Sequence, residues 1–204
     1  MTTPRDLLIV AIDSGPVDPE ESGALSLALA GAELIDLLAE GAVSLEAGVR
    51  VVPGPVRPLR DHLLDDAAAS LARQSPYETV GDWLWRRGRD LTAHYVAALE
   101  ADGLIVRQRR RWPFLSPGPK VAADTPGRRS ALERWTAGEP VLAALARDAG
   151  IRELRPAGPP PAFGQAEGAV LAALDDASAE LEAERERRVR RLEEAAEENR
   201  RRGY

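Results

Sequence analysis

Apolar positions along this chain recur mostly at helical spacing. Leu7 to Ile12 is an unbroken apolar run that reads as a short, fully buried helix, with Thr3 as its cap and Pro4 at the first helical position. A strand over the same run also fits the period. A turn-rich stretch, Asp13 to Ser22, follows. Ser22 is placed to cap a helix from Gly23 to Glu40, and the leucines of that segment wrap most of its circumference, which puts it at the centre of the fold. Gly31 sits mid-helix, where it costs about 1 kcal/mol relative to alanine, and a close helix neighbour is the expected reason. Ala42 to Glu46 and Val49 to Pro53 alternate about Ala47-Gly48 and predict a hairpin with a two-residue turn. Leu59 to Arg73 predicts a helix that Ser75-Pro76 breaks. Thr79 followed by Asp82 is close to a capping box. It opens a helical pattern that runs to Asp102 and bends near Gly88. Leu104 to Val106 and Trp112 to Leu115 predict a second hairpin.

Two more helices are expected over Arg128–Thr136 and Glu139–Asp148. The proline-rich stretch 156–163 reads as a linker between a helical domain, 1–155, and a long helix, 164–204. That helix is expected to pack on the domain at its start and to be solvated at its end. Glu184–Arg188, Glu186–Arg190, Glu197–Arg201 and Glu198–Arg202 stand four apart in the stabilising order. The fold class is therefore mainly α, a compact helical domain with two short β-hairpins and a long charged C-terminal helix.

Composition narrows the chemistry. The 204 residues suffice for one real core, and sparse aromatics leave leucine, alanine and valine to fill it. Without cysteine, disulfides and thiolate chemistry are excluded. No apolar run reaches the length of a membrane span or has the form of a signal peptide, so a cytoplasmic protein is expected, with peripheral contact at the inner face of the membrane left open. Lys120 is the only lysine, and the arginine bias suits a GC-rich bacterial genome. His62 and His94 stand in unrelated contexts. Asp65-Asp66 and Asp175-Asp176 are neighbours that point about 100° apart on a helix, so neither pair converges on one metal or one bond. No enzyme, metal or cofactor is expected.

The net charge of −6 argues against indiscriminate binding of nucleic acid. One stretch departs from it. Between Thr79 and Ser116 lie Arg86, Arg87 and Arg89, then Arg107, Arg109, Arg110 and Arg111, then Trp112 and Phe114. Arg86, Arg87 and Arg89 are the candidates for a lipid headgroup. Arg109, Arg110 and Arg111, with Trp112 and Phe114, are the candidates for membrane contact, since each cation near an anionic leaflet contributes about 1 kcal/mol and tryptophan favours the interface. Packing on the protein body or on a second copy is the competing role of Trp112 and Phe114. Of Trp83 and Trp85, at least one belongs in the core.

Four segments carry a resemblance: Asp6 to Asp13, Leu27 to Glu46, Glu78 to Gly88 and Ala98 to Gln108. In order and spacing they resemble the GPP34 family, the Golgi phosphoprotein 3 type, over roughly Thr3 to Gly150. The resemblance implies a helical fold with a projecting hairpin and a peripheral binder of anionic phospholipid headgroups. In eukaryotic members the ligand is phosphatidylinositol 4-phosphate. Their pocket has a tryptophan and an arginine at the first long helix and two arginines before the hairpin. Here those positions fall on Glu21, Ala30, Arg89 and Thr92, so most of that site is not retained. The resemblance also implies a homo-oligomer as a further partner state, through the 104–116 hairpin; the C-terminal helix is a second candidate surface. Two other readings stay open. A helix followed by a basic hairpin also suits a winged-helix DNA-binding domain, with Arg86 to His94 toward the groove. The long helix suits a non-enzymatic adaptor.

Overall fold

Residues 2–18, 22–107, 120–151 and 162–203 are described by a computed structural model. Among the described residues the chain forms α1 (Thr3–Ser14), α2 (Gly23–Ala39), β1 (Val43–Glu46), β2 (Arg50–Pro53), α3 (His62–Ala69), α4 (Val80–Arg87), α5 (Leu91–Ala101), β3 (Ile105–Arg107), β4 (Lys120–Ala122), α6 (Pro126–Thr136), α7 (Pro140–Asp148) and α8 (Gln165–Arg201). The fold is mainly helical with two antiparallel hairpins, β1–β2 and β3–β4.

The all-round apolar pattern of the second helix does what it predicts. Burial runs almost unbroken from Leu25 to Leu37, and α1, α4, α5, α7 and α8 pack about α2. At Gly31 the expected neighbours are present: a Cβ there would meet Leu174, Leu145 and Leu84 at 3.5, 3.6 and 3.7 Å, which is ordinary contact. The contacts also fix directions. Gly31 faces Leu84 and Leu174, whereas Gly23 faces Leu181 and Gly88 faces Leu27. Thus α4 and α8 both run antiparallel to α2.

Helix α1 is buried along Thr3 to Ile12, with Thr2 rather than Thr3 at the cap position. Its polar residues tie it to the rest. Arg5 donates to Asp61 at 2.5 Å and to Asp102 at 2.7 Å. Asp6 pairs with Arg134, and the Thr3 N–H donates to Asp36 at 2.7 Å. Buried charges persist only when paired in this way.

Local chemistry accounts for several boundaries that differ from expectation. Helix α3 is shorter than 59–73, because Asp61 accepts from the N–H groups of Leu63 and Leu64 and caps it there. The first hairpin pairs Glu46 with Arg50, so its loop holds three residues and not two. Ala47 and Gly48, with φ of 49° and 71°, supply the left-handed turn. The helical pattern 79–102 is broken, not bent: Asp90 has φ of 57°, and α4 and α5 meet at a corner. At that corner a Cβ on Gly88 would lie 2.5 Å from the Leu84 carbonyl and 3.3 Å from the Ser26 carbonyl. Glycine lets the corner close against α2. The second hairpin pairs Ile105–Arg107 with Lys120–Ala122. Residues 112–115 and the proline-rich stretch lie outside the described residues.

The first half of α8 buries Val170, Leu171, Leu174 and Ala177. Beyond Arg185 it runs clear of the body. Val189 and Leu192, about five turns after Leu171 and Leu174 and so on the same side, are 53% and 63% exposed. Glu186–Arg190 and Glu198–Arg202 pair as the spacing predicts, while Glu184 instead takes Arg187 and Arg191, both at 2.9 Å.

Asp148 ends α7 with its side chain 4% exposed, and its Oδ2 has no hydrogen-bond partner among the described residues. Burial raises its pKa; Arg147 opposes the shift and Asp175 adds to it. The raised folded value means that this residue's contribution to stability is complete below the ordinary aspartate range and is lost as pH rises through the folded pKa. Asp148→Asn is expected to raise the unfolding free energy at pH 7 by about 1 kcal/mol, because it removes a buried charge at a helix C-terminus. It should not do so at acid pH. Urea denaturation of both forms across the acid-to-neutral range measures this.

Candidate functional site

The three arginines near the end of α4 have different fates. Thr79 and Asp82 form the predicted capping box, with Asp82 N–H to Thr79 Oγ1 at 3.1 Å and Thr79 N–H to Asp82 Oδ2 at 3.2 Å. That start sets the helix phase. Trp83 then turns inward, fully buried, and its indole N–H donates to the Ala30 carbonyl at 3.0 Å. Trp85 faces outward.

Arg87 also turns inward. Its guanidinium makes two parallel bonds to Glu33, at 2.7 and 2.9 Å, and Tyr95 Oη donates to the same carboxylate at 3.0 Å. Glu33 is 0% exposed. Burial pushes its pKa up, against the pull of Arg87 and Tyr95. The Tyr95 hydroxyl is itself raised, first by burial and then by Glu33. Arg86 is outward but engaged: it grips Glu78 at 2.7 and 2.9 Å and lies 5.2 Å from the Trp83 ring centroid. Only Arg89 of the three is exposed and without an internal partner among the described residues. It occupies the α4–α5 corner, beside the first turn of α2.

The positions that the resemblance assigns to a headgroup pocket can now be placed. Ala30 is fully buried, and its carbonyl is taken by Trp83. Thr92 is fully buried, with its Oγ1 2.8 Å from Ser26 Oγ, which also accepts the Thr92 N–H at 3.1 Å. Between Ala30 and Thr92 the structure has sealed core, and Arg89 stands at its rim. Glu21 lies outside the described residues, as do Arg109, Arg110, Arg111, Trp112 and Phe114. Their sequence forms the connection between β3 and β4. Ile105 anchors that hairpin in the core, while Arg107 is exposed at its outer end.

The surface of α5 that faces solvent carries Ala93, His94, Ala97 and Ala101, with no arginine. A recognition helix reads DNA with cationic and amide side chains, and this face has neither. Among the described residues no group of three acids or histidines is placed to hold a metal ion. Among the described residues no helix is long and apolar enough to cross a membrane.

Sequence reasoning missed a groove between the first hairpin, α4 and α8. It is lined by Gly48, Val49, Thr79, Val80, Gly81 and Trp85 on one side, and by α8 from Ala169 to Glu180 on the other. Its acids are Asp176 and Glu180, one turn apart. The signal was present as an i, i+4 pair of acids on the helix, but its other wall lies some ninety residues earlier in the chain.

A buried central helix, the helices packed about it and a second hairpin whose described strands pack on α1 and α5 define a helical body. The chain matches the family model of Golgi phosphoprotein 3 (GPP34) over residues 4–202, and it belongs to that family. The match includes α8. No curated protein matches the chain.

The geometry separates the roles of Arg87 and Arg89. Arg87→Ala leaves Glu33 buried without its counter-ion and is expected to cost about 3–5 kcal/mol. Arg89→Ala, at an exposed corner, is expected to change stability by less than about 0.5 kcal/mol. Guanidinium denaturation of the two variants tests the assignment, and similar losses would contradict it.

Proposed function

We propose that this protein is a peripheral membrane protein that binds anionic, phosphate-bearing lipid headgroups and catalyses no reaction. The observation that carries the reading is the contrast at the end of α4. Two neighbouring arginines are held by Glu33 and Glu78, and Arg89 is left exposed on a corner packed rigidly against α2. A guanidinium presented in this way pairs with phosphate through charge-assisted hydrogen bonds. Membership of the Golgi phosphoprotein 3 family supports lipid binding at this coarse level.

Arg89 alone makes a weak site. The arginines from 107 to 111 supply the remaining attraction, and Trp112 and Phe114 supply insertion at the headgroup layer. Ala30 and Thr92 are enclosed in the core, which argues for a shallow, charge-driven contact and against a four-residue phosphoinositide pocket. Such a contact suits the cytoplasmic face of a membrane, where anionic lipids concentrate.

Sedimentation with phosphatidylglycerol vesicles tests this. Replacement of Arg109, Arg110 and Arg111 by glutamate is expected to reduce partitioning by roughly a hundredfold or more, at about 1 kcal/mol for each cation lost. Added salt should weaken wild-type binding. Equal pelleting of the two forms would refute the reading. DNA retardation that survives physiological salt would favour a nucleic-acid protein instead.

A further inference from the structure

The apolar side of α8 does not stop where the body does. From Leu171 and Leu174, both buried, it passes through Leu181, which lies against the start of α2 at Gly23. By helical spacing it continues through Val189, Leu192 and Ala196. Inside the body this side is covered. On the free part Val189 and Leu192 are each more than half exposed, among charged neighbours.

The charges of the free part come in blocks. A mainly acidic block, 182–186, is followed by a basic block, 187–191, then by an acidic one, 193–198, and a basic one, 200–202. Their sign inverts about Leu192. Arg191 and Glu193 stand at equal distances on either side of it, as do Arg190 and Glu194, Arg187 and Glu197, Glu184 and Arg200, and Glu182 and Arg202. Glu186 with Glu198 is the exception. Such a helix complements itself when a second copy lies antiparallel to it with the two Leu192 side chains level. In a parallel pair every block would meet its like.

Two arginines interrupt the apolar side, and they favour the same direction. Arg185 and Arg188 share the side of Leu192. In a parallel pair each would meet its own copy at the seam. In the antiparallel pair Arg185 is level with Asn199 and Arg188 with Ala196, and alanine leaves room for the arginine stem to lie across it. The pairs already present within the helix, such as Glu184 with Arg187 and Arg191, are exposed. Pairs of that kind contribute little, so their exchange between copies is easy. Residues 186–198 are symmetric about Leu192 and lie wholly beyond Arg185, where α8 is clear of the body. They span about 18 Å, so the two bodies stand at opposite ends of the contact.

We propose that the outer half of α8 binds a second copy of this chain as a short antiparallel helix pair centred on Leu192. Val189 and Leu192 form its seam, and the basic block of each copy lies beside the acidic block of the other. The pairing needs no lipid and is independent of the reading given for Arg89.

Sedimentation equilibrium of the full chain without lipid tests it. A reversible monomer–dimer equilibrium is expected, weakened by added salt. Leu192→Glu should lower the association constant by about tenfold or more. Reversal of the basic block (Arg187→Glu, Arg190→Glu, Arg191→Glu) should abolish self-association, and so should reversal of the acidic block (Glu193→Arg, Glu194→Arg, Glu197→Arg). An equimolar mixture of the two reversed chains should associate again. All these positions are exposed, and circular dichroism checks that each variant folds.

The chain has no cysteine, so introduced thiols report the direction. Val189→Cys and Ala196→Cys chains oxidised together should form a mixed disulfide, and neither should cross-link to itself. Efficient self-cross-linking of each alone would establish a parallel pair and overturn the proposal. A wild-type chain that stays monomeric up to about 1 mM would also overturn it. Replacing Arg109, Arg110 and Arg111 by glutamate should leave the equilibrium unchanged; its loss in that variant would place the contact at the second hairpin instead.

Discussion

A carboxylate at the centre of the molecule sets the arrangement of everything that faces a ligand. Glu33 sits on α2, the helix that α1, α3, α4, α5, α7 and α8 pack around, with no access to water. Left alone there, its charge would be costly to the point of unfolding the protein. Arg87 and Tyr95, on the two helices that meet at the corner, satisfy it together. The demand of one buried group thus fixes the end of α4, the start of α5 and the turn between them. Gly88 permits that turn to press against the Ser26 carbonyl. What remains outside is Arg89, held in place by neighbours that are themselves not free to move.

The same logic runs through the rest of the charge distribution. Arg5, Arg134 and Arg128 tie the N-terminal helix to α6 and to the ends of α3 and α5. The outer half of α8 balances its own acids and arginines along its length. At the α4–α5 corner Arg89 is exposed and has no ion-pair partner among the described residues. The acidic net charge of the chain hides this local order, since a total says nothing about where each sign is left over.

Much of the architecture was legible in the residues. The all-round leucine pattern marked α2 as central, Thr79 with Asp82 marked the start of α4, and Ala47-Gly48 marked a hairpin. These are signals carried by neighbours in sequence. What failed depended on partners far away. Lys120–Ala122 pairs with β3 while packing on α1, and three residues with one charge have no strand pattern of their own. Trp112 to Leu115, with stronger β propensity, drew the expectation instead. The site shows the same limit. Arg87 and Arg89 are equivalent as letters two positions apart, and the distinction between them comes from Glu33, fifty-four residues earlier. The groove brings together a turn, a short helix and a late helix, so no window of sequence contains it.

The central claim is that the buried pair consumes Arg87 and leaves Arg89 to meet phosphate. Nitrogen-15 spectra of the arginine Nε–H groups, recorded while inorganic phosphate is added, address it at the level of single side chains. The account predicts a saturable shift of the Arg89 signal and an Arg87 signal that stays fixed, slow to exchange with water. A shift of Arg87, or an Arg89 signal that ignores phosphate because a carboxylate of the protein already holds it, would contradict the account.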